Sequence, residues 1–215
     1  MLWLMISSVF AYDPSVAQGH TGILTPITSA PAPIATTDAE NTQLQAGKVV
    51  LRSAADDSGE GRGVAVQYVS APESVVWDTI LNYPMYTEWV DNVVQSSVYK
   101  TAPGKCGDQN LYVELISSVM FVKFGVYTIN YLCKDQHYMH WTLDYDRQSD
   151  TKDMVGYWRV EQISTNPPVT RVDYATEMLV TGVPDFLASY LTKDALINGT
   201  KWVKREAEKA DKKSQ

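Results

Sequence analysis

The sequence predicts an α+β fold, an antiparallel sheet with helices on one side of it. Three observations predict this. Between Val93 and Leu179 nearly every segment reads as strand, joined by polar turns with no helix between, which requires antiparallel pairing. A short helix signal precedes that run, and one long amphipathic stretch follows it. Strands gathered together with helices set apart are the α+β pattern.

Taken in order, residues 12–42 carry Pro14, Pro26, Pro31 and Pro33 with no sustained periodicity, and read as linker or processed leader. Residues 47–52 read as a first strand, residues 56–61 as a turn, and residues 63–69 as a second strand. Ser70 and Glu73 match the S-x-x-E capping box, which opens a helix with Val76, Trp77, Ile80 and Leu81 on one face. That helix stops before Pro84, because the residue preceding a proline avoids helical geometry. A second short helix spans residues 85–90 and carries Trp89. Strands follow at residues 93–100, 111–116, 121–132, 137–145, 154–163 and 170–180.

The last helix begins near Pro184, which suits the first helical position, with Asp185 in the first turn. Lys201, Lys204, Arg205 and Lys209 crowd its far end, the sign the dipole favours there. A helix of roughly 25 residues would be near 38 Å long. Its apolar set is Val183, Phe186, Leu187, Tyr190 and Leu191 in the first half, then Ala195, Leu196, Gly199, Trp202 and Val203. The two sets are not collinear: the stripe rotates near Thr192–Asp194, so the helix bends there or its halves face different surroundings.

Alternation assigns the sheet faces. Met139, Trp141 and Leu143 oppose Tyr138, His140 and Asp144; Gly156, Trp158 and Val160 oppose Tyr157, Arg159 and Glu161. Val172, Tyr174, Thr176 and Met178 oppose Arg171, Asp173 and Glu177, so one face is expected to be apolar and the other wet. Residues 121–132 are apolar on both faces, which leaves their inner side open. A turn at Thr165–Pro167 sets Glu161 against Arg171, Arg159 against Asp173, and Trp158 against Tyr174, and opposite charges favour that register. If the preceding hairpin turns at Val119–Met120, Cys106 and Cys133 face each other and a disulfide is possible in an oxidising compartment. Ser117–Met120 is a poor turn sequence, and two inert thiols are the alternative.

A chain of 215 residues with 45% hydrophobic and 20% charged residues suits one domain, expected at residues 43–210 with a short disordered tail at 211–215. Net charge of −7 argues against nucleic acid or an anionic membrane surface as the main partner. The opening MLWLMISSVFA is too short to span a bilayer and reads as a signal-peptide core ending in a small-residue cleavage pattern. Ser8–Ala11 also resembles the signal/transit junction of proteins imported into the plastids of some algae. A secretory or plastid destination is the expectation if that leader is used.

The order of elements resembles the helix-grip fold of START-type lipid-transfer domains, the birch-pollen-allergen family and polyketide cyclases (the SRPBCC superfamily). Ala71–Trp77 with Tyr83 and Tyr86–Trp89 looks like that superfamily's opening helices, although Val90 and Asp91 stand where many relatives have a proline. Leu143–Asp150 with Asp153–Trp158 is similar to a segment of plant and algal START-like proteins named polyketide cyclase/dehydrase or coenzyme-Q-binding, and Trp202–Glu208 resembles their helix end. The resemblance covers about residues 44–209. It implies a curved sheet wrapped around the C-terminal helix, with a cavity between them for a hydrophobic molecule, and it brings no universal catalytic motif.

Trp89, Met139, Trp141, Trp158, Tyr174, Met178, Phe186, Leu187 and Tyr190 are the residues expected to converge on that interior, either as pocket lining or as plain core. No metal or cofactor is expected. His137 and His140 point to opposite faces of a strand, and neither HExxH nor G-x-S-x-G occurs. The glycines at 59, 61 and 63 form a hairpin turn followed by a strand, not a phosphate loop. Asp194 and Lys201 read as a polar anchor for a ligand head group or as a solvated helix flank. The expected activity is binding, with possible transfer, of a lipid, isoprenoid quinone or pigment by a monomer, with at most transient membrane contact. The alternatives are a cyclase using Tyr174 or Asp194 as acid or base, and a structural domain with a filled core.

Overall fold

Eight strands form one antiparallel sheet, with the helices that follow residue 72 packed on its inner face, in the helix-grip α+β arrangement. The computed structural model describes residues 13–55, 60–120, 122–180 and 195–214. The leader at residues 1–11, part of the turn at 56–61, Phe121, and the first half of the expected last helix with Phe186, Leu187, Tyr190 and Asp194 lie outside the described residues.

The strands are β1 (Val50–Ala55), β2 (Glu60–Val69), β3 (Val93–Pro103), β4 (Gln109–Val119), β5 (Val122–Cys133), β6 (Tyr138–Leu143), β7 (Asp153–Thr165) and β8 (Pro168–Leu179). Their order across the sheet is β1-β2-β8-β7-β6-β5-β4-β3. Helix α1 (Asp38–Gln45) precedes them; α2 (Glu73–Ile80) and the one-turn α3 (Tyr86–Trp89) follow β2; α4 (Ala195–Ser214) closes the chain. No described helix is long and apolar enough to cross a membrane.

The β7–β8 hairpin has the register that the charges select: Trp158 pairs with Tyr174, Arg159 with Asp173 and Glu161 with Arg171. The short ion pairs run along the strands as well as across them. Arg159 Nη2 lies 2.6 Å from Glu161, Arg171 Nε lies 2.8 Å from Asp173, and Arg159 Nη1 reaches Asp173 at 3.8 Å.

The β4–β5 hairpin departs from expectation. Val119 pairs with Val122, so the turn falls one residue later than Val119–Met120, with Met120 at φ 48°. Cys106 and Cys133 nevertheless form a disulfide, with Cα atoms 5.2 Å apart. Cys106 precedes β4, and the loop folds back to reach Cys133, so strand register does not bring the two together. Asp108 on the same loop accepts the Lys134 backbone N–H at 2.9 Å.

Helix α2 also starts differently. Pro72 is its N-cap and Ser70 makes no side-chain cap. Glu73 instead ties the helix to the sheet: it accepts from Trp77 Nε1 at 3.3 Å and from the Gln162 N–H at 3.2 Å, and lies 2.9 Å from His137 Nδ1. The Ser70 N–H donates to Glu208 of α4 at 3.0 Å. Helix α4 seats on β2 and α2 through Leu196, Thr200, Val203 and Ala207, which share one face and are buried. Gly63 of β2 makes this approach possible, since a Cβ there would lie 3.1 Å from the Leu196 methyls. The helix continues to Ser214, past the expected boundary at 210 and through most of the expected tail.

The largest difference concerns residues 13–46. They form no loose linker but a strap over the outer face of the sheet. Gln18 donates to the Thr151 carbonyl at 3.0 Å and accepts from the Ser149 N–H at 2.8 Å. The N–H groups of Ile23 and Leu24 donate to Asp153 Oδ2 at 2.6 and 2.8 Å, and that of Ile34 donates to Asp173 Oδ2 at 3.2 Å. Arg52 donates to the Ala35 carbonyl at 2.7 Å and to Glu40 of α1 at 2.8 Å. Thr37 and Glu40 form a reciprocal capping box at the start of α1. The expected wet face is therefore largely covered, and Asp153 and Asp173 are each 0% exposed.

Two expectations follow. Reducing the Cys106–Cys133 bond, whose sequence separation is 27, should lower unfolding stability by about 3 kcal/mol, measured by urea titration with and without a phosphine reductant. Burial alone would raise the pKa of Asp153, but the Leu24, Ile23, Tyr145 and Met154 donors hold it below the usual value. Its stabilisation is thus present above about pH 4 and lost as the pH falls through the lower folded-state value. Asp153→Ala should cost roughly 2–4 kcal/mol near neutral pH, with faster hydrogen exchange at the Ile23 and Leu24 amides.

Candidate functional site

Between the inner face of the sheet and α4 lies a cavity of about 190 Å³. Its walls come from α3, α4 and the strands β3–β8. Gly199 and Trp202 of α4 close one side; Val113 and Leu115 of β4 and Phe124, Val126, Thr128 and Asn130 of β5 form the opposite side. Trp141, Met154, Trp158, Tyr174 and Met178 of β6–β8 make the floor, and Tyr83, Tyr86, Val90, Asp91 and Val93 close one end.

The aromatic side chains hold one another in place. Trp158 and Tyr174 meet with ring centroids 4.5 Å apart, and Trp141 lies 5.6 Å from Tyr174. Trp202 packs on Tyr86 at 4.6 Å and stacks on Trp89 at 5.8 Å, while its Nε1 donates to the Gly199 carbonyl at 3.0 Å. Gly156 is the close-approach residue of the floor. A Cβ there would overlap the Trp141 indole and the Ala175 carbonyl, so only glycine lets the indole lie flat across β7.

The cavity is mainly apolar with a few oriented polar groups. Asn130 Nδ2 donates to Thr128 Oγ1 at 3.0 Å. The Tyr86 hydroxyl is occupied, donating to the Ile80 carbonyl at 2.5 Å. Burial pushes the Tyr174 hydroxyl up to about 12 and raises those of Tyr83 and Tyr86 further, so all three keep their protons at neutral pH. The Trp141 Nε1 is buried without a hydrogen-bond acceptor. Among the described lining residues Asp91 is the one carboxylate.

Of the nine residues selected from sequence, Trp141, Trp158, Tyr174 and Met178 line this cavity. Trp89 and Met139 do not line it. Trp89 sits behind Trp202, and Met139, 1% exposed, sits behind Tyr83, whose hydroxyl contacts its sulfur at 3.8 Å. Phe186, Leu187 and Tyr190 lie outside the described residues, as does Asp194, and Lys201 is exposed. The wall residues of β4 and β5 went unselected because β5 is apolar on both faces. The pairing of Val119 with Val122 turns Phe124, Val126, Thr128 and Asn130 inward. Tyr83 and Tyr86 carried a signal, since both stand in the stretch that resembles the superfamily's opening helices.

Solved structures share this fold. A START superfamily protein from Mycobacterium smegmatis aligns with TM-score 0.55 at 13% identity, over 69% of this chain and 98% of its own. The ZhuI aromatase/cyclase of Streptomyces sp. R1128 aligns with TM-score 0.57 at 13% identity, over 70% and 94%. A STAR-related lipid transfer protein from Xanthomonas axonopodis aligns with TM-score 0.57 at 11% identity, over 74% and 93%. At such identities the likeness is one of fold. No protein-family model and no curated protein sequence matches the chain.

The Trp141–Gly156 contact is directly testable. Gly156→Ala should destabilise by about 1–3 kcal/mol, and Gly156→Val by more. Near-ultraviolet circular dichroism should show loss of the fixed tryptophan environment in proportion.

Proposed function

We propose that this protein binds a hydrophobic small molecule in the cavity between the sheet and α4. The observation that carries this reading is the cavity: a mainly apolar space of about 190 Å³ lined by residues of the hydrophobic core. An apolar cavity of ~150 Å³ is enough to hold benzene, whereas drug-sized pockets run from about 300 Å³. The space therefore suits one ring, or a segment of a chain, rather than a whole sterol.

The polar groups favour a ligand with hydrogen-bond acceptors. The Tyr174 hydroxyl on the cavity floor retains its proton, and the walls around it are mainly apolar. An isoprenoid quinone, with a compact ring, two carbonyl oxygens and a greasy tail, meets both requirements, and is the ligand class that the resemblance to coenzyme-Q-binding START-like proteins also suggests. The Xanthomonas structure, which shares the fold, is that of a STAR-related lipid transfer protein.

The cyclase reading draws on the aromatase/cyclase neighbour. It requires a base near the substrate. The described lining offers hydroxyls that keep their protons and one group of the basic kind, the Asp91 carboxylate at one end of the cavity. Binding is the better supported of the two.

The test is native mass spectrometry of the full chain purified from a quinone- and lipid-containing host, with solvent extraction of any bound molecule. One hydrophobic adduct per chain is expected, and Val126→Trp, which places an indole in the cavity, should abolish it with the fold intact. A mass without adduct, together with no thermal shift on adding decylubiquinone or phospholipid, would overturn the proposal.

A further inference from the structure

A second and larger cavity, of about 440 Å³, lies on the opposite face of the sheet, beneath the N-terminal strap. Its floor is the outer face of β5 and β6: Ile129, Tyr131, Tyr138, His140 and Thr142. Its roof is Leu24, Pro26 and Ile27 of the strap, and Tyr145 and the Cys106–Cys133 disulfide stand at its sides.

This floor carries a row of face-stacked rings that turn their edges toward the cavity. The His140 ring stacks on Tyr131 with centroids 4.7 Å apart and planes 16° apart, and on Tyr138 at 5.9 Å and 17°. Burial lowers His140 to about 4, so the ring is neutral at pH 7. Its Nδ1 is buried with no hydrogen-bond partner. The remaining titratable groups facing the space are the hydroxyls of Tyr131, Tyr138 and Tyr145, the last donating to Asp153 at 2.8 Å. Lys105, exposed at the rim, is the one full charge among the described lining residues.

We infer that this outer cavity is a second binding site, for a planar aromatic molecule bearing an acidic group. The edges of stacked rings recognise the face of another flat ring by edge-to-face contact. The rim lysine recognises a carboxylate, and the absence of any described lining carboxylate leaves nothing to repel it. The volume falls within the range of small-molecule pockets. The strap is held from outside this space, by Asp153 and Asp173, so it roofs the cavity without filling it. The site is independent of the inner cavity, from which the sheet separates it.

The test uses the full chain with 2-naphthoate as the probe and 2-methylnaphthalene as its uncharged analogue. Histidine ring signals are followed by nuclear magnetic resonance, with His140 assigned through His140→Gln. Saturable movement of the His140 signals by 2-naphthoate is expected. Lys105→Gln should weaken 2-naphthoate at least fivefold while leaving 2-methylnaphthalene unchanged, and Ile27→Trp should abolish both. Lys105→Gln alters one exposed side chain and keeps the test decisive should Ile27→Trp fail to fold. No movement at millimolar 2-naphthoate, equal affinity in Lys105→Gln, or binding lost in Val126→Trp instead would overturn the inference. The last outcome would place the aromatic ligand in the inner cavity.

Discussion

Two buried carboxylates decide how this sheet is covered. Asp153 and Asp173 stand on the outer face of adjacent strands with no exposed surface, where an unpaired carboxylate would be strongly unfavourable. Each is satisfied by backbone N–H groups of the strap: Ile23 and Leu24 for the first, Ile34 for the second. Their balances differ. At Asp153 four donors outweigh desolvation, whereas at Asp173 burial prevails and raises the pKa despite the Arg171 contact. Asp153 is therefore the stronger fastening near neutral pH, and it sits at the end of the strap that roofs the outer cavity.

With the strap in place the sheet has two interiors. That explains why β5 carries Phe124 and Val126 on one face and Ile129 and Tyr131 on the other. A strand read as half-buried should alternate apolar and polar residues, whereas one buried on both faces does not. The same constraint places Trp141 and His140, neighbours in sequence, in different cavities. Only Gly156 gives Trp141 the room to lie across the inner floor.

Local signals with strict periodicity were legible in the sequence. The β7–β8 register followed from charge pairing and alternation, and with it the four cavity residues on β6–β8. Signals that depend on distant partners were not. The strap has a proline-rich sequence without period, and its anchors lie more than 120 residues away, as in Leu24 with Asp153. Glu73 reads as a capping residue because the pattern is local, but Trp77, His137 and Gln162 compete for its carboxylate. Trp89 and Met139 are apolar and on the correct side, yet Trp202 and Tyr83 stand between them and the cavity. Alternation gives the face a side chain occupies, not its depth.

The two cavities also differ in what they can accept. The inner one is small and mainly apolar, with hydroxyls that keep their protons among its few polar groups. The outer one is more than twice as large, has a neutral imidazole in an aromatic floor, and opens beside a lysine. A neutral ring with carbonyl acceptors fits the first, and a larger flat acid fits the second. Because desolvation strengthens each mismatch, a carboxylate in the inner cavity would sit among mainly apolar walls with no cation among the described lining residues, and would be disfavoured on that ground. Selection between the cavities thus rests on charge as much as on volume, with a single sheet as the partition.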